Sequence, residues 1–182
     1  MSDCLRLFVG IFPSQSTQKQ LHQAAASWCK NLQTEVRLLK PELLHLTVKF
    51  IGNVESTRLN DLTTAFLKIS GNLPSVSLDI KQFKLFPNQR KPRVVAADIE
   101  RSPELNYLVQ CCEESFSNLG IIRDPRAFQP HITLARARRW QKENISPYTF
   151  RLVEPIESIA LVHSQLSREG AKYRVIASVP LN

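Results

Sequence analysis

Two tetrapeptides, His45-Leu46-Thr47-Val48 and His131-Ile132-Thr133-Leu134, carry the chemistry that this sequence offers. On a β-strand successive side chains point to opposite faces. The His and Thr of each segment therefore share one face, while the aliphatic residues between and after them anchor the other. Two imidazoles and two hydroxyls suit hydrolysis of a phosphodiester without metal. Opening a cyclic phosphate requires a base to take a proton from water and an acid to protonate the departing ribose oxygen. Imidazole, with an unperturbed pKa of about 6.5, can serve in either role near neutral pH. The threonine hydroxyls can donate to the non-bridging oxygens, where charge accumulates. Metal ligation is the competing reading, but neither segment has a third His or a paired carboxylate beside it. A single His-x-Thr is more often structural. The chain has only 4 histidines, and two of them share this context.

The elements that must position these residues repeat. Leu5 to Phe12 reads as a buried strand ended by Pro13. Ser14 or Ser16 caps a helix running to about Asn31, with Leu21, Ala24, Ala25, Trp28 and Leu32 on one face. His45 to Ile51 is a strand that closes at Gly52-Asn53. Ser56 is placed to cap a second helix bearing Leu59, Leu62, Phe66 and Ile69, and Val76 to Phe83 alternates like a strand. The order then recurs: strand Arg93 to Ile99, a Ser102-Pro103 helix start, an apolar stripe of Leu105, Leu108, Cys112, Phe116 and Leu119, a stop at Gly120, and strand His131 to Ala137. Strands Tyr148 to Val153, Ile156 to His163 and Tyr173 to Val179 complete the chain. Leu5 precedes His45 by 40 residues and Arg93 precedes His131 by 38. That spacing predicts two similar lobes related by an approximate two-fold axis, with one histidine from each at the seam.

The bulk properties fit such an architecture. A length of 182 residues suits a single bilobal unit spanning 1–182. Lys and Arg exceed Asp and Glu by 8, a balance that attracts polyanions such as RNA. Cys4, Cys29, Cys111 and Cys112 show no C-x-x-C spacing and read as reduced packing residues of a reducing cytosol. The opening MSDCLRLFVGIFPSQ lacks the basic start and long apolar centre of a signal peptide. No run approaches the roughly 20 apolar residues of a membrane helix. A cytoplasmic monomer with no membrane association is expected, and the Asn144-Ile145-Ser146 sequon carries no role there.

In their longer forms, HLTVKFIG and FQPHITLAR, the two motifs resemble the signatures of the two-histidine phosphoesterase superfamily. The resemblance is closest to its bacterial RNA 2′,3′-cyclic phosphodiesterases, also called 2′-5′ RNA ligases. LRLFVGIFP is similar to that family's first strand and SQLSREGAKYRVIASVPL to its last hairpin, so the likeness covers nearly the whole chain. It implies a bilobal α+β fold, with two antiparallel sheets, helices outside and both motifs facing a central cleft. It also implies hydrolysis of 2′,3′-cyclic phosphate ends to 2′-phosphomonoesters, and 2′-5′ ligation of RNA without ATP or other cofactor. The substrates implied are RNA with a 2′,3′-cyclic phosphate end and nucleoside 2′,3′-cyclic phosphates.

Carried over residue by residue, His45 is the proton donor, His131 the proton acceptor, and Thr47 and Thr133 hold the phosphate. Arg136 matches a basic position that helps bind phosphate. Strict alternation turns Arg136 away from the cleft, so it contributes only if the strand bulges or ends near Ala135. Lys49 has the parity of His45 and Thr47 and is a rival cation. The acid and base labels are exchangeable, because the two motifs are nearly equivalent.

Weaker signals remain. Arg136, Arg138, Arg139 and Lys142 surround Trp140, a set suited to an RNA backbone with one stacked base. Phe128 is a candidate for base stacking or for the core. Arg90, Lys91 and Arg93 read as a solvated turn, His22 as a surface residue and His163 as structural. Two other functions compete: a phosphodiesterase acting on ADP-ribose cyclic phosphate or 2′-5′ oligoadenylate, and a non-catalytic nucleotide or RNA binding module. Loss of a motif His or Thr would signal the binding module, and none is lost.

Overall fold

Strand β1 (Cys4–Ile11) feeds helix α1 (Gln15–Cys29) across Pro13. The computed structural model describes residues 4–71, 73–137, 139–167 and 170–181. Ser14 is the cap of α1: its hydroxyl accepts from the Thr17 amide at 3.2 Å. Leu21, Ala25 and Trp28 then recur on one buried face. A short strand β2 (Arg37–Leu38) and a 3₁₀ turn (Pro41–Leu43) lead into β3 (Leu46–Glu55). Helix α2 (Leu59–Leu67) begins after a 3₁₀ turn over Ser56–Arg58. Ser56 starts that turn and does not cap the helix, whose first turn has no side-chain cap.

The second half runs β4 (Val76–Phe86), β5 (Val94–Ile99), α3 (Pro103–Ser117) and β6 (His131–Arg136). Ser102 caps α3 by accepting from the Leu105 amide at 3.1 Å, with Pro103 in the first helical turn. Gly120, at φ +76°, lets the chain reverse so that the Ile121 amide reaches the Phe116 carbonyl at 3.1 Å. Strands β7 (Tyr148–Ile156), β8 (Ser158–Ser167) and β9 (Gly170–Pro180) follow.

The expected pair of sheets is a single hydrogen-bonded sheet, ordered β7-β4-β5-β6-β3-β1-β8-β9, with β2 added beside β6. All recorded pairings are antiparallel. The two motif strands meet at its centre through one pair, Leu46 with Ile132. Outward from that joint each half reads alike: the motif strand, then the strand that opened its repeat, β1 on one side and β5 on the other.

One face of the sheet carries Leu7, Val9, Ile11, Leu46, Ile132 and Leu134, buried against Leu21, Leu62, Phe66, Leu105 and Phe116 of the helices. Each such side chain contributes about 1.5–3 kcal/mol by leaving water. The other face is concave. Were the sheet flat, β9 would lie three strand spacings, about 14 Å, from β3. Yet the ring of Tyr173 on β9 reaches that of His45, just before β3, at 5.2 Å between centroids. The protein is thus α+β, a curled antiparallel sheet with few helices, and the curl is what gathers distant strands over the motifs. Among the described residues no helix is long and apolar enough to cross a membrane.

Candidate active site

His45 and His131 are held in the same way. The Nδ1 of His45 lies 2.7 Å from the Leu43 carbonyl, and the Nδ1 of His131 lies 2.8 Å from the Gln129 carbonyl, each two residues back. A carbonyl oxygen only accepts, so each Nδ1 carries a proton and each neutral ring keeps its lone pair on Nε2. The Thr47 hydroxyl lies 3.1 Å from His45 Nε2 and donates to it.

The ring environments differ. His45 sits among three aromatics: Phe12 stacked at 5.3 Å, Phe8 tilted at 4.7 Å and Tyr173 edge-on at 5.2 Å. His131 is stacked on Phe86 at 3.9 Å. Gly10 makes room for the first arrangement. A Cβ there would stand 2.9 Å from the Phe8 ring, and 3.4 Å from both His45 Cδ2 and the Leu46 carbonyl oxygen. Burial pushes His45 down to about 4; the nearby charges of Arg136 and His131 add to the effect, against the hydrogen bond to Leu43. His131 is also lowered, first by burial and then by Lys84, with the Gln129 carbonyl and the Asp98 carboxylate opposing.

Two bulges set the directions of the two candidate cations. Along β1 and β3 the register passes from Gly10–Thr47 to Val9–Lys49, leaving Val48 as an extra residue. Along β5 and β6 it passes from Ala96–Thr133 to Val95–Ala135, leaving Leu134 extra. An extra residue reverses the alternation beyond it. Arg136 thereby returns to the side of His131 and Thr133, where its charge bears on both His45 and Tyr173. Lys49 is turned the other way. It is buried in the helix layer, 2.6 Å from the Glu113 carboxylate of α3 and 2.8 Å from the Ile122 carbonyl. The parity that makes Lys49 a rival cation fails because the bulge intervenes.

Sequence comparison agrees with this geometry. The family model of the LigT-like phosphoesterases matches residues 11–96. An RNA 2′,3′-cyclic phosphodiesterase of Thermus thermophilus is 29% identical, over 97% of this chain and 90% of that relative. Another, from Thermotoga maritima, is 24% identical over 94% and 93%. The crystal structure of a Thermus thermophilus protein superposes with a TM-score of 0.85 at 26% identity, covering 97% of each chain. The chain thus resembles the LigT-like phosphoesterases along nearly its whole length.

The other candidate residues have different surroundings. Phe128 and Trp140 pack against the hydrophobic core. The loop around Trp140 is pinned: Glu143 accepts from the Gln33 and Thr34 amides at 3.1 and 2.7 Å, and the Gln141 amide donates to Thr34 Oγ1 at 3.0 Å. Arg139 and Lys142 are exposed, and Arg138 lies outside the described residues. His22 is half-buried, with Nδ1 donating to the Leu39 carbonyl at 2.8 Å, so it ties the strand-β2 segment to α1. His163 is buried in β8. Among the described residues no three His, Cys, Asp or Glu side chains gather as a metal site requires.

Sequence reasoning missed the aromatic walls and Asp98. Phe8 and Phe12 flank Gly10 on one face of FVGIF, which was the available signal. Tyr173 and Phe86 reach the histidines only through the curl of the sheet.

Proposed function

We propose that this chain is a hydrolase that opens 2′,3′-cyclic phosphates at RNA ends, and nucleoside 2′,3′-cyclic phosphates, to 2′-phosphomonoesters. The observation that carries the reading is the matched tethering of His45 and His131, which leaves two Nε2 atoms available to one phosphate. His131 takes a proton from water as the water oxygen attacks phosphorus. The bond from phosphorus to O3′ breaks, and His45, protonated on Nε2 as the phosphate anion binds beside it, delivers that proton to the departing oxygen, leaving a free 3′-hydroxyl and a 2′-phosphate. Thr47, Thr133 and Arg136 hold the non-bridging oxygens, Thr47 exchanging its bond to His45 for one to phosphate. Acid, base and anion contacts all come from side chains, so the reaction proceeds without metal or ATP. Run in the same direction with a 5′-hydroxyl in place of water, the same groups form a 2′-5′ linkage.

The excess of 8 positive charges supports RNA over a free nucleotide as the physiological partner. The RNA 2′,3′-cyclic phosphodiesterases among its relatives favour this substrate over ADP-ribose cyclic phosphate or 2′-5′ oligoadenylate. The identically placed bulges after the two histidines support an approximate two-fold repeat, with 1–182 as one bilobal unit around the cleft. Four unbridged thiols support a reducing cytoplasm, and a monomer is proposed. The test is incubation of purified protein with chelator and each nucleoside 2′,3′-cyclic phosphate, with chromatography of the products. Nucleoside 2′-phosphate is expected. A 3′-phosphate product, or binding without turnover, would refute the assignment.

A further inference from the structure

The two motif histidines differ in the residue that the neighbouring strand sets beside them. Counting from the pairs Gly10–Thr47 and Ala96–Thr133, the residue two further along the opening strand stands beside the motif histidine. Beside His45 that residue is Phe12; beside His131 it is Asp98, paired with it directly in the β5–β6 register. Directly opposed residues of antiparallel strands bring their Cβ atoms to about 4.5–5.5 Å on one face. Asp98 is also clamped. Lys84 Nζ lies 2.7 Å from its Oδ1, and Gln82 Nε2 donates to its Oδ2 at 3.2 Å. Lys84 and Asp98 are both partly exposed, so their ion pair adds little to stability and needs another reason to be so firmly placed.

The charged groups around His131 are few. Asp98 comes from β5, Lys84 from β4, Arg136 from β6 itself and His45 from across the joint, while Phe86 covers one ring face. A groove of about 420 Å³ continues from these residues, with Lys81, Glu100 and Arg101 farther along its wall. Lys81 is engaged by Asp79 at 2.6 Å and Glu100 at 3.8 Å. Asp98 is thus the carboxylate set beside His131, and its matched position at His45 carries only a phenyl ring.

We propose that Asp98 is a positioning residue: held by Lys84 and Gln82, its carboxylate supports the imidazolium that forms when His131 takes the proton of the attacking water. The proposal rests on the two-histidine hydrolysis above. A negative group within about 4–6 Å favours the charged ring, and the clamp keeps it there while charge develops. Phe12 gives His45 no such support, so a proton on His45 is readily given up. The unlike neighbours therefore separate the acceptor from the donor, a distinction the near-identical motifs leave open.

The experiment is an NMR titration of both histidines in the wild type, Asp98→Asn and Lys84→Met, with kcat and KM for a nucleoside 2′,3′-cyclic phosphate at about pH 8, where both free rings are neutral. Asp98→Asn should move the His131 titration to lower pH and Lys84→Met to higher pH, with His45 little changed. In Asp98→Asn kcat should fall about three- to tenfold, a small part of the ~10²–10⁴ available from general acid–base catalysis, while KM holds. A His131 titration that is the same in Asp98→Asn and wild type would overturn the proposal, whatever the activity. So would an equal shift of both histidines, which would indicate a general disturbance of the cleft. If the wild type fails to turn over cyclic phosphates while the titrations shift as described, the hydrolysis reading fails and the coupling of Asp98 to His131 stands.

Discussion

Val48 and Leu134 occupy matching places on the two motif strands: each is the third residue after a motif histidine, and each lacks a partner on the adjoining strand. The consequence is opposite for the residues beyond. Arg136 swings into the cleft, and Lys49 swings into the helix layer against Glu113.

Arg136→Ala and Lys49→Met should therefore fail in different ways. Arg136→Ala removes a phosphate contact from an exposed position, so kcat/KM should fall by about 10²-fold with thermal stability nearly unchanged. Lys49→Met leaves Glu113 with an unpaired charge in a largely buried site, which costs about 3–5 kcal/mol. Denaturant unfolding should show that loss, while the folded fraction keeps its turnover. The reverse pattern would mean that the bulges are misplaced.

What the sequence displays and what it hides follow from the range of the interactions. The His-Thr pairs are legible because alternation is local, and α1 and α3 because Ser14, Ser102 and Pro103 mark their starts. The bulges are not legible, since Val48 and Leu134 are aliphatic like the core residues on either side. Joining of the halves into one sheet rests on a single long-range pair, Leu46 with Ile132. Asp98 becomes meaningful only through the β5–β6 register, and Tyr173 and Phe86 only through curvature.

Acid should destabilise the fold through His45. Its ring is buried neutral, with a folded value of about 4 against an ordinary 6.5. A depressed histidine contributes its full stability above pH 6.5, and that contribution is lost as pH falls from 6.5 to 4. At about 1.36 kcal/mol per pH unit the loss is about 3 kcal/mol. Urea midpoints of wild type and His45→Phe across this window should diverge as pH falls, with the variant flatter. Parallel curves would place the acid sensitivity elsewhere.

Gly10 should be intolerant of even one methyl. In Gly10→Ala the new Cβ crowds the Phe8 ring and His45. Displacing the imidazole by a fraction of an ångström should lower kcat by about ten- to a hundredfold. Circular dichroism and steady-state kinetics together check this; unchanged kcat in a folded variant would show that the cage yields freely.

The donor and acceptor roles can be separated by the leaving group. A nitrophenyl phosphodiester departs as a stable phenolate and needs little help from an acid. His45→Ala should therefore lose far less activity on it than on a cyclic ribonucleotide, whereas His131→Ala should lose about the same on both. The opposite dependence would exchange the two labels.

The most direct measurement is turnover of a nucleoside 2′,3′-cyclic phosphate by chelator-treated wild type, His45→Ala and His131→Ala. The wild type should release nucleoside 2′-phosphate without added metal. Each variant should be slower by about 10²–10⁴-fold while still binding the 2′-nucleotide through Thr47, Thr133 and Arg136. Undiminished turnover after removal of either histidine, or wild-type activity lost to chelator and restored by a divalent metal, would contradict the two-histidine account.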